Sequence, residues 1–215
     1  MLAPVPVSVR RVELGEAVRR RRMVRSFRPE PVPGEVLDRI LQNALRAPSA
    51  GFTQGVDLLV LEGRAQTGLF FEATCDEAFL AEPKAMAGLL EAPVVVVPVT
   101  DPGLYVARYA EGDKAASSLS GLPAGEWPVP YWHVDASFAV MMLLLAAVDE
   151  GLGALFFRLH RDPAALLASL GAPGGKLVIG AVALGYEASG KRPGPGSPAG
   201  RVRRQLEEVV HRGRW

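Results

Sequence analysis

Four apolar runs punctuate the chain, and their lengths predict buried β-strands. Leu58-Leu59-Val60-Leu61 ends at Glu62-Gly63, and Val94 to Val99, rich in β-branched residues, is bracketed by Pro93 and Asp101. Ala154-Leu155-Phe156-Phe157 is the third. The fourth runs from Val178 to Tyr186, where Gly180 and Gly185 permit close approach of another backbone. Helical spacing fills the intervals. Val12 to Arg22 places Leu14, Ala17 and Val18 on one side, and about Gly34 to Arg46 carries Val36, Leu37, Ile40, Leu41 and Leu45 before Pro48 stops it. A helical pattern spans the Glu72 to Leu90 region with a break at Pro83. Another runs from about Val134 to Glu150 and ends at Gly151 and Gly153, and Asp162 caps a short one through Leu170. This order predicts helices covering a central mixed sheet of about four strands.

Two stretches depart from these patterns. Phe138 to Val148 is apolar on every side, so it needs cover on every side, from a core or from another subunit. It falls short of the roughly 20 residues that span a bilayer, so no membrane partner is expected. Between Thr100 and Tyr131 periodicity dissolves into Pro, Gly, Ser and aromatics, including Tyr105, Tyr109, Trp127 and Tyr131. A connection of this length is a functional lid (about 100–131) or a disordered surface insertion, and its aromatic content favours the lid.

Composition narrows the class. At 215 residues and 49% hydrophobic content one domain over 1–215 is expected, with an N-terminal arm over about 1–12. Cys75 is the only cysteine, so no intrachain disulfide forms and a reducing, cytoplasmic setting is the default. The first dozen residues lack the layout of a signal peptide. A formal charge of +1, from 24 basic and 23 acidic residues, gives no support to nucleic-acid binding.

Against that balance, Arg19, Arg20, Arg21, Arg22, Arg25 and Arg28 stand on one short segment. Guanidinium forks match phosphate oxygens two at a time, which makes the segment a candidate cradle for a phosphorylated ligand; the competing reading is a solvated basic helix end. Chemistry built from side chains finds little support. His133, His160 and His211 have no partner at ligand spacing, so no metal is expected, and Ser49 lacks a nucleophile elbow. Gly151-x-Gly153 alone is no dinucleotide fingerprint. A reactive group brought in by a cofactor is therefore expected.

The order of two motifs carries more. Arg21-Arg22-Met23-Val24-Arg25-Ser26-Phe27 is followed, one helix later, by Pro48-Ser49-Ala50-Gly51-Phe52-Thr53-Gln54. This succession resembles the nitroreductase family of FMN-dependent flavoproteins, over nearly the whole chain from about residue 13. Met23 stands where the family usually has Ser, and Phe52 where Asn is common.

The resemblance implies an α+β sandwich assembled as an intertwined homodimer, with FMN at the interface and the C-terminal tail (about 190–215) crossing to the partner after a Pro/Gly linker. It assigns Arg21 and Arg25 to the FMN phosphate, with Arg22 making a backbone contact or facing outward, and Arg201 and Arg203 to a second basic pair over the same phosphate. Pro48, Ser49 and Ala50 match the loop beside the ribityl chain and ring edge, with Gln54 a weaker candidate. A backbone N–H of Leu155, Phe156 or Phe157 is placed to address flavin N5, and Lys84 matches a polar flavin contact. Tyr131 and Trp132 are candidates to sandwich a substrate. The implied activity is ping-pong: NADH or NADPH reduces the flavin, and a nitroaromatic, quinone or other electron-poor small molecule reoxidises it. A biosynthetic oxidase or dehydrogenase, a flavin-fragmenting relative and an FMN-sequestering protein are the alternatives.

Overall fold

In the computed structural model, which describes residues 12–75, 87–188 and 201–215, the apolar runs form one sheet. Its strands are β1 (Val56–Glu62), β2 (Val94–Thr100), β3 (Gly153–Phe157), β4 (Leu177–Val178) and β5 (Ala181–Gly185). The order is β1-β2-β5-β3, with β4 also pairing β2. Every ladder among the described residues is antiparallel, which corrects the expectation of a mixed sheet. Among the same residues the one parallel contact is an isolated bridge between Met23 and Ala154. The fourth predicted strand is divided in two at Gly180, whose φ of 148° belongs to glycine; a Cβ there would lie 2.6 Å from the Phe157 carbonyl oxygen.

Both faces of the sheet are covered, and the period-2 alternation of strand side chains sorts residues between them. Val95, Val97, Ala181, Ala183 and Leu155 join one core with Phe70, Phe71, Leu166 and Leu167. The last four come from α3 (Gly63–Thr74) and α6 (Pro163–Ser169). Val94, Val96, Val182, Leu184 and Ala154 join the opposite core with Leu37, Ile40, Val140, Leu143 and Ala147. Those come from α2 (Gly34–Ala44) and α5 (Tyr131–Asp149). α1 (Leu14–Arg20) packs beside α5. The result is an α+β sandwich of helix layers around the sheet.

α5 has 19 residues and is long and apolar enough to cross a membrane by length and composition, but half of that window is buried within the chain. It is a core helix. Its outer side leaves Phe138 and Met141 exposed, beside exposed Leu14 and Val18 of α1.

The segment after β2 departs most from its sequence expectation. Asp101 accepts a hydrogen bond from the Gly103 N–H and caps α4 (Pro102–Tyr109), with Pro102 at the first helical position. Tyr105, Trp127 and Trp132 form a third core, flanked by Tyr109 and Tyr131. What reads as an aperiodic lid is an ordered aromatic module, and its aromatics face one another. The last described element is α7 (Leu206–Val209). Residues 1–11, 76–86 and 189–200 lie outside the description, and with them Lys84, the Pro/Gly linker and most of the N-terminal arm.

Candidate functional site

The arginine segment is built by alternating pins and projections. Beyond α1 the chain lies along the outer edge of β3, where the Val24 N–H donates to the Ala154 carbonyl at 2.9 Å. Val24 and Phe27 are buried as apolar pins, and the Phe27 and Arg28 N–H groups donate to the Gly88 and Tyr186 carbonyls. Arg22, Arg25 and Arg28, on either side of the pins and between them, are left toward solvent. Arg22 faces outward, one of the two placements expected, and both of its terminal nitrogens meet the Glu187 carboxylate, one at 2.6 Å. That hydrogen bond raises the Arg22 pKa above its ordinary value. Arg25 makes only a long contact, 3.3 Å, to the Met23 carbonyl. Together with Leu155, Phe156, Phe157, Arg158 and Leu89 it lines a cavity of about 280 Å³.

Strand geometry separates the three β3 candidates. Ala154 turns its carbonyl outward to Val24, and backbone groups alternate sides along a strand, so the Phe156 N–H points to the same outer edge. Leu155 and Phe157 turn theirs to β5. Phe156 is thus the residue of the three with an amide directed toward the arginine side.

The second motif folds as a strained loop. Pro48 ends the approach from α2, and Ala50–Phe52 makes a single 3₁₀ turn. Gly51, Phe52 and Gln54 all have φ between 54° and 63°, and the latter two are the only non-glycine residues at positive φ among the described residues. Such positions cost on the order of 1–3 kcal/mol each and persist only where the surroundings over-determine them. The surroundings do so. The Ser49 hydroxyl accepts from the Gln54 N–H at 3.0 Å, Arg108 Nε donates to the Gly51 carbonyl at 2.9 Å, and Asp135 Oδ2 accepts from the Ala50 N–H at 2.9 Å. Arg108 is itself locked by Asp113 at 2.7 Å through two nitrogens, which raises the Arg108 pKa and lowers that of Asp113. Pro48, Ser49, Gln54 and Asp135 line a cavity of about 180 Å³.

Trp132 corrects an expectation. It is buried against Tyr105 and Trp127, with ring centroids 6.2 and 5.8 Å away, and offers no open face for a substrate within this chain. Tyr131 is partly buried, edge-on to Trp127 at 6.2 Å. The reason is the helical start: α5 begins at Tyr131, three residues before the sequence pattern suggests, and its first turn is drawn into the aromatic core.

Nine of the expected site residues fall into three groups. Arg25, Leu155, Phe156 and Phe157 share one cavity; Pro48, Ser49 and Gln54 share another. The loop leads into β1 and the arginine segment borders β3, the two ends of the strand order, about 14 Å apart at the usual strand spacing. One chain does not bring them together. The third group, Arg201 and Arg203, stands exposed in the tail, where each hydrogen bond and ion pair among the described residues stays inside 201–215. Arg158 and Asp135 are additions. Arg158 has only its place just after the Phe156-Phe157 run to mark it, whereas Asp135 was signalled by being an acid inside an apolar helix.

Comparisons with known proteins identify the family and the fold. The sequence model of the nitroreductase family matches residues 18–186. A Thermus thermophilus protein named NADH dehydrogenase is 31% identical over 207 residues, covering 94% of this chain and 98% of its own. Among solved structures, a nitroreductase family protein from Streptococcus pneumoniae superposes with a TM-score of 0.67 at 18% identity, covering 93% of this chain and 99% of that one. A Desulfovibrio desulfuricans protein described as a nitroreductase in complex with FMN gives 0.64 at 22%, covering 93% and 95%. These two share the fold. By the match over residues 18–186 and the identity across nearly its full length, the chain belongs to the nitroreductase family, the FMN-dependent oxidoreductases that its two motifs resemble.

Proposed function

We propose that this chain is an FMN-dependent oxidoreductase that takes electrons from NADH or NADPH and passes them to a nitroaromatic, a quinone or another electron-poor small molecule. The observation that carries the reading is the juxtaposition in one cavity of Arg25 with the Phe156 edge of β3. A phosphomonoester joined to a flat ring asks for such a set. Arg21 and Arg25 hold the phosphate, Arg158 adds a third cation at the cavity wall, and the Phe156 N–H is directed to the ring. FMN supplies the chemistry of accepting a hydride and returning electrons. The protein's part is to bind it, hold it and leave one face open, and a single open face requires donor and acceptor to alternate.

The separation of the 48–54 loop from the arginines supports a homodimer in which the loop of one protomer meets the arginine segment of its partner. Exposed Phe138, Met141, Leu14 and Val18 give that association an apolar surface. The tail, with Val202 and Trp215 exposed, completes it by crossing to the partner, where Arg201 and Arg203 reach the phosphate. The aromatic module forms a fixed wall beside the loop.

Anaerobic mixing of the FMN-loaded protein with NADH or NADPH tests the activity. Bleaching of the flavin absorption, followed by recovery on adding a quinone or nitroaromatic, is the expected result. A protein that binds FMN but leaves it oxidised by either nucleotide contradicts it.

A further inference from the structure

Asp135 is the one charged residue that is buried among the described residues, at 3% exposure. Among those residues no cation forms a salt bridge with it. Its hydrogen bonds come from the Ala50 N–H at 2.9 Å and the Tyr105 hydroxyl at 2.8 Å, both to Oδ2. A carboxylate held this way is costly to bury, and an apolar residue in its place would suit the surrounding helix better. What it touches gives the reason for its presence. Ala50 opens the 3₁₀ turn of the strained loop, just ahead of Gly51, Phe52 and Gln54 at positive φ, and Tyr105 is the fully buried centre of the aromatic module.

Both ends of the link are otherwise fixed. Burial and the neighbouring carboxylate push the Tyr105 pKa up, so its hydroxyl remains a donor. A Cβ on Gly55 would lie 2.5 Å from the Tyr105 ring, and one on Gly51 would lie 2.8 Å from the Tyr109 ring, so the loop sits directly on the module. Arg108 holds the Gly51 carbonyl from the same module.

We propose that Asp135 is a positioning residue for the cofactor loop: by accepting from Ala50 and Tyr105 together, it sets the shape in which residues 48–54 receive the ring and ribityl portion of FMN. This rests on the proposed FMN site. Its signature differs from that of a phosphate ligand, because loss of loop shape weakens binding of flavin with or without its phosphate.

The test is titration of apoprotein with FMN and with riboflavin, by quenching of flavin fluorescence, for wild type, Asp135→Ala, Asp135→Asn, Tyr105→Phe and Arg25→Ala. Asp135→Ala removes a charged acceptor from the Ala50 N–H and the Tyr105 hydroxyl and should weaken both ligands by the same factor, roughly ten- to a hundred-fold. Asp135→Asn keeps an acceptor oxygen and should recover most of that loss. Arg25→Ala should weaken FMN and spare riboflavin. If Asp135→Ala does not fold, Tyr105→Phe, which removes one of the two bonds, should show a smaller equal loss for both ligands. Unchanged flavin affinity in a folded Asp135→Ala protein overturns the inference, as does an Asp135→Asn variant no better than alanine. Wild type that binds no FMN sinks the proposed site itself, whereas wild type and Arg25→Ala behaving as expected beside a silent Asp135 sinks only the positioning role.

Discussion

Arg21 to Arg25 and Arg201 to Arg203 carry the same guanidinium chemistry in opposite settings. The first segment is stitched to the body of the chain by the Val24, Phe27 and Arg28 amides and pinned by two buried side chains. The second extends from the body, and its neighbours Val202, Leu206, Val209 and Val210 expose apolar surface that their own chain does not cover. Fixed donors are worth more to an anion than mobile ones, because their ordering cost is met by folding. The first cluster is therefore fixed within one chain, whereas in the proposed dimer the second is ordered by the partner's surface.

That contrast can be broken by removing one side at a time. The largest effect is expected from ending the chain at Gly190, which deletes every tail contact at once. FMN affinity should fall roughly a hundred-fold or more, and the dimer should weaken with it, since assembly and cofactor retention are linked. Light scattering beside flavin titration reads both. Next comes Arg25→Ala, with an expected loss of roughly ten- to a hundred-fold in FMN affinity and an unchanged fold by circular dichroism. An unchanged affinity would return Arg25 to the solvated surface. Arg22→Ala should do least, about threefold or below, because an exposed ion pair with Glu187 occupies its guanidinium. A loss matching that of Arg25→Ala would show that Glu187 yields Arg22 to the ligand.

The aromatic module allows a smaller, pH-resolved test of its own. The Tyr105 pKa is raised above its ordinary value of 10, chiefly by burial and then by Asp135. A group with a raised folded pKa contributes stability that is complete below the unfolded pKa and is lost as pH climbs past it. Stability should decline above about pH 10, and Tyr105→Phe should flatten that decline in denaturant melts. An identical alkaline limb in both proteins contradicts the assignment.

The sheet and both motif segments were legible in the sequence because they depend on local signals. Val94 to Val99 announces a buried strand, and the apolar pins Val24 and Phe27 stand out between arginines. α3 escapes the sequence pattern because polar Thr67 and Thr74 share its buried side with Phe70 and Phe71. The aromatic module was hidden for a different reason. Its core joins Tyr105 to Trp127 and Trp132 across turns rich in Gly and Pro, and no periodicity reports contacts made at that separation. The positive φ values at Phe52 and Gln54 were equally invisible, being imposed by Asp135 and Arg108 from distant elements.

The proposed dimer builds each FMN site from the arginine side of one protomer and the loop side of the other. Co-expression of two differently tagged variants, each unable to hold FMN alone, tests it most directly. One carries Arg21→Ala with Arg25→Ala, and the other carries Ser49→Trp to fill the loop cavity. In a two-fold mixed dimer one site collects both defects and the other collects neither, so the doubly tagged pair should retain about one FMN per two chains. A mixed dimer as colourless as its parents would contradict the account.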